Sequence, residues 1–306
     1  MAMTKERRSE LVNYLSASRN ETMTANLTYD DEERSFLALA DMETVERAPV
    51  DGFGYKCYVF TAKNRTEHCP VHINIHGGGF FYGHKENDHM FSAWLSDQIK
   101  GVVVDLDYST TADGAAWPVP MDQCYDAAKW VFSKCGEWDC DAKRVSMGGY
   151  SAGSTLTCAA ALKAAETGEF RLCLQVLGYG VVDSATSAQF KLPGYGKRMM
   201  PAARMDAFSE LLTDGDPNVG CDKFLSPCFA PDELVAASPR TLIITAGECD
   251  LRHEDERYGA KLASLGVEVT MRRVLGAKHG FIPHFMAHWR EGAELVARAI
   301  NSASLE

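Results

Sequence analysis

Short runs of β-branched and apolar residues recur along the chain, at 55–61 (YKCYVFT), 71–75 (VHINI), 102–106 (VVVDL), 172–177 (LCLQVL), 241–245 (TLIIT) and 267–274 (VEVTMRRV). Between most of them lie stretches with helical periodicity, at 87–99, 120–134, 152–166, 254–265 and 286–301. Residues 4–18 also read as helix, ahead of a polar stretch to about residue 40 with no decided pattern. Strand runs that are apolar throughout belong to sheets covered on both faces, and their alternation with helices predicts a mostly parallel sheet with helices on both sides. Ligands of such sheets bind at the carboxyl ends of the strands, so the loops there are where chemistry is sought.

One interval breaks the rhythm. Residues 183–225 contain no strand run and one or two short helical stretches, too long for an ordinary connection and typical of a lid or binding element. Its Met199, Met200, Met205 and Phe208 suit either an apolar pocket wall or packing against the core. The pattern divides the chain into a core of 46–182 and 226–306, and a helical cap of 1–45 and 183–225.

Charge and composition remove several function classes. Lys+Arg total 31 against 42 Asp+Glu, a formal net charge of -11, which repels phosphate backbones and disfavours nucleic acid as a partner. No apolar run is long enough to span a membrane, and the polar start MAMTKERRSE lacks the apolar stretch of a secretory signal, so a cytoplasmic protein is expected. The 10 cysteines include no C-x-x-C pair, which disfavours a cysteine zinc site and favours free thiols packed as small hydrophobes. In that compartment the N-x-S/T triplets at Asn20, Asn26 and Asn64 carry no weight.

Candidate chemistry lies at three places. Gly149-Tyr150-Ser151-Ala152-Gly153 matches G-x-S-x-G between a strand-like run starting at Val145 and the 152–166 helix. A strand turning sharply into a helix strains its apex residue, and the flanking glycines remove side chains that would clash. The serine is then presented at a helix N-terminus, where N–H groups and the helix dipole favour negative charge. Directly after 71–75 comes HGGGFFYG, His76 to Gly83. Consecutive glycines Gly77, Gly78 and Gly79 make sense where backbone N–H groups must approach a ligand unobstructed, such as the oxyanion of ester hydrolysis. Neither a P-loop pattern nor a helix opening at once supports a phosphate site there.

HGGGF some 75 residues before GYSAG resembles the hormone-sensitive-lipase branch of the α/β-hydrolases, with a likeness running from about residue 70 to 282. That resemblance implies an α/β-hydrolase fold with a helical cap and a serine carboxylesterase acting on short- to medium-chain acyl esters. It implies oxyanion donors at Gly78, Gly79 and Ala152, with His76 and Gly77 supporting the loop. Asp107-Tyr108 and the Trp117-Pro118-Val119-Pro120 turn match as well, while Ser109 and Ser154 depart from the family's arginine and glycine. Phe80, Phe81, Tyr82 and Tyr150 are candidate pocket residues beside the oxyanion loop.

A serine hydroxyl needs a base. His279, in Gly276-Ala277-Lys278-His279-Gly280-Phe281 after the last strand run, matches the family's H-G-F. His284 and His288 are four apart, but H-F-M-A-H lacks the glutamate of H-E-x-x-H and no third ligand is suggested, so no metal is expected. The acid should fall between serine and histidine, and Asp250, after TLIIT, is the expected choice. Aligning the family's D-x-L-R-x-E on Leu251-Arg252 instead puts Cys249 there; a shift of one residue restores Asp250, with Glu248 and Glu254 in reserve. No cofactor is implied. A small ester is the expected partner, a homodimer stays open, and the alternatives are an amidase or peptidase on the same triad, or a binding protein on a dead hydrolase scaffold.

Overall fold

The computed structural model describes residues 3–18, 27–191 and 201–306; Asn20, Asn26, Met199 and Met200 lie outside the described residues. In chain order the strands are β1 Ala40–Val50, β2 Phe53–Ala62, β3 Cys69–Ile75, β4 Val102–Asp107, β5 Cys140–Tyr150, β6 Leu174–Gly178, β7 Thr241–Ala246 and β8 Val269–Val274. The longer helices are α1 Lys5–Ser18, α3 Glu86–Ile99, α4 Val119–Lys134, α5 Ala152–Thr167, α7 Ala202–Leu212, α10 Arg252–Ser264 and α11 Trp289–Ser302. Short turns of helix occupy α2 Asp31–Ser35, α6 Ala188–Lys191, α8 Pro217–Gly220 and α9 Asp232–Ala236.

The eight strands form one sheet in the order β1-β2-β4-β3-β5-β6-β7-β8. β1 pairs antiparallel with β2 and β2 with β4, whereas every pair from β4 to β8 is parallel. All seven residues of β3 and all six of β7 are buried, as continuous apolar runs require. Helices α3 and α11 pack Phe91, Trp94, Trp289 and Val296 on one face. α4 and α5 pack Cys124, Val131 and Leu156 on the other, with α10 alongside α5 through Tyr258 and Leu262.

β1 crosses the expected boundary at residue 45. It is an edge strand almost wholly exposed, carrying Glu43, Glu46, Arg47 and Pro49, so it has no buried face to produce an alternating pattern. No helix among the described residues is long and apolar enough to cross a membrane.

Helix α1 is fastened to α7 and to the loop after β3. Leu11 and Leu15 are buried, Arg7 pairs with Glu210 at 2.7 Å, and Arg8 with Asp214 at 2.9 Å. The Tyr82 hydroxyl donates to the Leu15 carbonyl at 2.7 Å, and the Arg204 guanidinium to that of Ser18 at 2.9 Å. Because Leu15 is fully buried, Leu15→Ala is expected to cost about 2–5 kcal/mol. A urea titration of the variant should show a clearly lower midpoint; an unchanged midpoint would mean that α1 does not contribute to the folded core.

Candidate active site

The β5–α5 turn carries Ser151 with φ 55° and ψ -121°, a conformation that side-chain-bearing residues rarely adopt. Its neighbours make the turn possible. A Cβ on Gly149 would lie 2.3 Å from the Gly153 carbonyl oxygen, and one on Gly153 would lie 2.2 Å from the Ile75 oxygen and 2.6 Å from that of His76. The start of α5 thus rests directly on the end of β3. The Ser151 N–H donates to the Gly178 carbonyl at 2.8 Å, tying the turn to β6 as well.

The glycine loop begins where β3 ends. A Cβ on Gly77 would stand 2.8 Å from the Tyr150 oxygen and 3.2 Å from the Ser151 Cβ, so the loop backbone lies against the β5–α5 turn. Gly78 and Gly79 take φ 114° and 62°, and a Cβ on Gly79 would meet the Phe208 ring at 2.7 Å. His76 holds the start of this loop: its ring stacks on Tyr108 at 4.3 Å, and its Nδ1–H donates to the Gly77 oxygen at 2.7 Å. Burial, with the charge of nearby His84, pushes this imidazole down to about 3, so it stays neutral.

His279 sits in the loop after β8. Its Nε2 lies 2.9 Å from the Ser151 Oγ, within hydrogen-bond distance. Burial alone pushes the imidazole down to about 4, and Tyr179 packs edge-on at 5.1 Å. A neutral imidazole that accepts at one nitrogen carries its proton on the other.

That other nitrogen faces sulfur. His279 Nδ1 is 3.2 Å from Cys249 Sγ. Asp250, the residue expected to face it, is buried, with its Oδ2 lacking a hydrogen-bond partner among the described residues. The reason lies in the backbone. The β7–β8 ladder runs to Ala246 opposite Val274, and then Gly247 N–H donates to the Val274 oxygen at 2.9 Å and Glu248 N–H to Ala277 at 3.0 Å. These bonds fix the loop register, and the one-residue shift that would favour Asp250 does not occur. Glu254 is also elsewhere: its Oε2 accepts from the Val182 and Asp183 N–H groups at 3.1 and 3.0 Å, and it pairs with Lys191 at 3.1 Å.

Ser151, His279, Ala152 and Gly77–Gly79 line one cavity of about 140 Å³. Phe80, Tyr82 and Tyr150 also line it, whereas Phe81 is buried beside Phe208 and Tyr82. Met205 and Phe208 both line the cavity and are nearly buried, so the pocket and packing roles coincide. Sequence pattern gave no signal for Tyr179, Val181 and Arg204 in the same wall, because each comes from a segment without a motif.

His284 also borders the cavity, with its Nδ1 3.5 Å from the Tyr29 hydroxyl, whereas His288 caps α11. The cluster whose spacing suits metal ligands is His84, His89 and Asp105, with donor atoms within 4.8 Å of one another among the described residues. Within it, His84 Nε2 and Asp105 Oδ2 stand 2.6 Å apart. Two donors at about 2.0–2.1 Å from one tetrahedral ion stand roughly 3.3 Å apart, so this pair is set for a hydrogen bond rather than coordination. Burial opposes charge on His84, but attraction to Asp105 raises its pKa to about 9, making the contact an ion pair.

A family model described as the alpha/beta hydrolase fold matches residues 72–283. The chain belongs to the hormone-sensitive-lipase-like α/β-hydrolases. It is similar to a putative alpha/beta hydrolase of Acanthamoeba polyphaga mimivirus, 25% identical over 84% of this chain and 73% of the relative. An arylesterase of Saccharolobus solfataricus is 26% identical over 73% of this chain and 72% of its own. Among solved structures, carboxyl esterase 2 of Tuber melanosporum superposes with a TM-score of 0.78 at 27% identity, covering 87% of this chain and 88% of that one.

Gly153→Ala is expected to prevent the turn from closing, because the atoms it meets are backbone carbonyls that cannot move aside. Thermal unfolding and ester turnover should both fall sharply. Gly136→Ala, with open space around it, should leave both near wild type. Equal behaviour of the two variants would show that the close approach is not required.

Proposed function

We propose that this carboxylic ester hydrolase works by two-step acyl transfer at Ser151. His279 Nε2 takes the hydroxyl proton as Oγ attacks the ester carbonyl, then returns it to the leaving alcohol as the tetrahedral adduct collapses. Water, deprotonated by the same nitrogen, releases the acid from the acyl-enzyme. Backbone N–H groups of Gly78, Gly79 and Ala152 are the proposed oxyanion donors, each contributing about 2.7–4 kcal/mol as judged from removal of one donor in other enzymes.

The observation that carries this reading is the 2.9 Å contact between His279 Nε2 and Ser151 Oγ inside the glycine-lined cavity. It favours a working hydrolase over a binding scaffold, since a scaffold has no use for an activated hydroxyl. The cavity, at about 140 Å³, is near the ~150 Å³ that holds one benzene-sized molecule, so acyl groups of a few carbons are favoured. Helix α7, with Met205 and Phe208 facing the cavity, and α1 braced against it serve as the cap. The 10 cysteines, all free thiols, suit a reducing compartment such as the cytoplasm.

Turnover of p-nitrophenyl esters of graded length tests both parts. Acetyl to butyryl esters should be preferred over octanoyl and longer ones, and Ser151→Ala should lower kcat by about 10⁴-fold or more. A Ser151→Ala protein that retained its activity would remove the nucleophile assignment.

A further inference from the structure

We propose that the sulfur of Cys249 holds the third place of the catalytic triad. It acts as a positioning residue that accepts the Nδ1–H of His279, so that the reaction runs without a buried counter-charge. The inference rests on the Ser151–His279 reading and deepens it.

Two observations converge. Cys249 is fully buried, and its Sγ faces His279 Nδ1 at 3.2 Å, a distance at which sulfur accepts an N–H. The turn is tied to the His279 loop through Gly247–Val274 and Glu248–Ala277, which sets residue 249 abreast of residue 279.

The neighbouring carboxyl groups are engaged differently. Glu254 is held by Val182, Asp183 and Lys191 on the far side of the turn. Asp255 is fully buried, and burial raises its pKa, which favours the neutral acid. Among the described residues the hydrogen bonds of the His279 ring go to Cys249 and Ser151, and Asp250 Oδ2 has no hydrogen-bond partner. The other groups around His279 are the hydroxyl of Ser151, the phenol of Tyr179, which burial keeps neutral, and His284 on its own loop. Burial also keeps the Cys249 thiol protonated.

The chemistry follows from a neutral acceptor. With Nδ1–H directed at sulfur, the Nε2 lone pair points at the hydroxyl, the tautomer that general-base catalysis needs. As the Oγ–carbon bond forms, the Oγ proton moves to Nε2 and the carbonyl π pair moves onto the oxyanion. Nδ1 keeps its proton, and the thiol neither gains nor loses one. A carboxylate would stabilise the resulting imidazolium by charge; the thiol stabilises it only as a weak acceptor. The histidine is therefore oriented but poorly supported once charged.

Cys249→Ala, Cys249→Ser, Cys249→Asp and Asp250→Asn, assayed for kcat, KM and pH dependence on p-nitrophenyl acetate, test this. The imidazole must be neutral to accept a proton, so activity is lost as pH falls through its pKa. With burial holding that value near 4, wild-type kcat/KM should stay level down to about pH 5. Cys249→Asp should raise kcat and move the acid limb up by about 1–3 pH units, as an opposite charge beside a titrating group does. Cys249→Ala should lower kcat by about 10-fold or more with KM little changed, since an unoriented base loses catalysis rather than binding. Cys249→Ser should recover part of it.

Asp250→Asn should leave the acid limb where it is. The proposal fails if Cys249→Ala matches wild type, or if Asp250→Asn abolishes turnover and removes the limb. Should Cys249→Asp fail to fold, the Ala and Ser variants still decide. An active Ser151→Ala would instead sink the underlying reading, which keeps the two failures separate.

Discussion

The carboxyl ends of the central strands are organised around one close approach, that of Gly153 in the first turn of α5 to the Ile75 and His76 carbonyls. No residue with a side chain fits there, since even a Cβ would stand 2.2 Å from the Ile75 oxygen. Because α5 starts in contact with β3, the chain between β5 and α5 has a single apex residue, and Ser151 takes a positive φ. Such strain costs about 1–3 kcal/mol and persists only where the surroundings over-determine it. Here those surroundings are the fully buried β3 and the Ser151–Gly178 hydrogen bond to β6. The same contact sets the glycine loop over the hydroxyl, because the loop begins at the very carbonyls on which Gly153 rests.

The setting of the imidazole shapes the electrostatics that follow. His279 is partly buried at the cavity wall, and burial is the cause of its depressed pKa. An imidazole in that setting is reliably neutral in the resting state, which suits a general base. The cost falls on the charged intermediate, whose imidazolium must be supported by weaker means. The helix N-terminus and the loop amides favour negative charge on the substrate oxygen. In the proposed mechanism oxyanion and imidazolium stabilise one another across the site, which lessens the effect of a neutral group at Nδ1 without removing it.

Much of this could be read from the sequence because glycine patterns report local backbone demands. Gly77, Gly78, Gly79, Gly149 and Gly153 stand where close approach or positive φ disfavours other residues, so their spacing reports the β5–α5 turn and the loop after β3 directly. The partner of His279 Nδ1 was different. Whether residue 249 or 250 faces the imidazole depends on how far the β7–β8 ladder continues past Ala246, which is fixed by backbone bonds to Val274 and Ala277. No side-chain pattern encodes that. The inference from chemistry, that a carboxylate should stand there, favoured Asp250, whereas the motif alignment on Leu251-Arg252 pointed to Cys249, whose Sγ lies 3.2 Å from His279 Nδ1. Phe80 takes φ 60°, and the Phe81 ring packs beside Tyr82 and Phe208. β1 went unseen because an exposed edge strand has no hydrophobic face to show.

Two buried ion pairs flank the cavity, and their placement argues for positioning rather than stability. Replacing such pairs by apolar residues is often neutral or stabilising, whereas removing one partner costs about 3–5 kcal/mol. His84–Asp105 joins the end of the glycine loop to β4, and Asp105 is held in turn by Asn74 of β3 at 3.0 Å. Lys191–Glu254 joins α6 to α10, while Glu254 also grips the Val182 and Asp183 amides where the chain leaves β6. A hydrophobic contact is tolerant of small shifts; a hydrogen-bonded charge pair is not. Both pairs therefore fix loops that apolar packing alone would leave free to slide. The one on the glycine loop bears on the distance between its amides and Ser151, and the other on the start of α6, where Ser187 and Ala188 donate to Asp206 of α7.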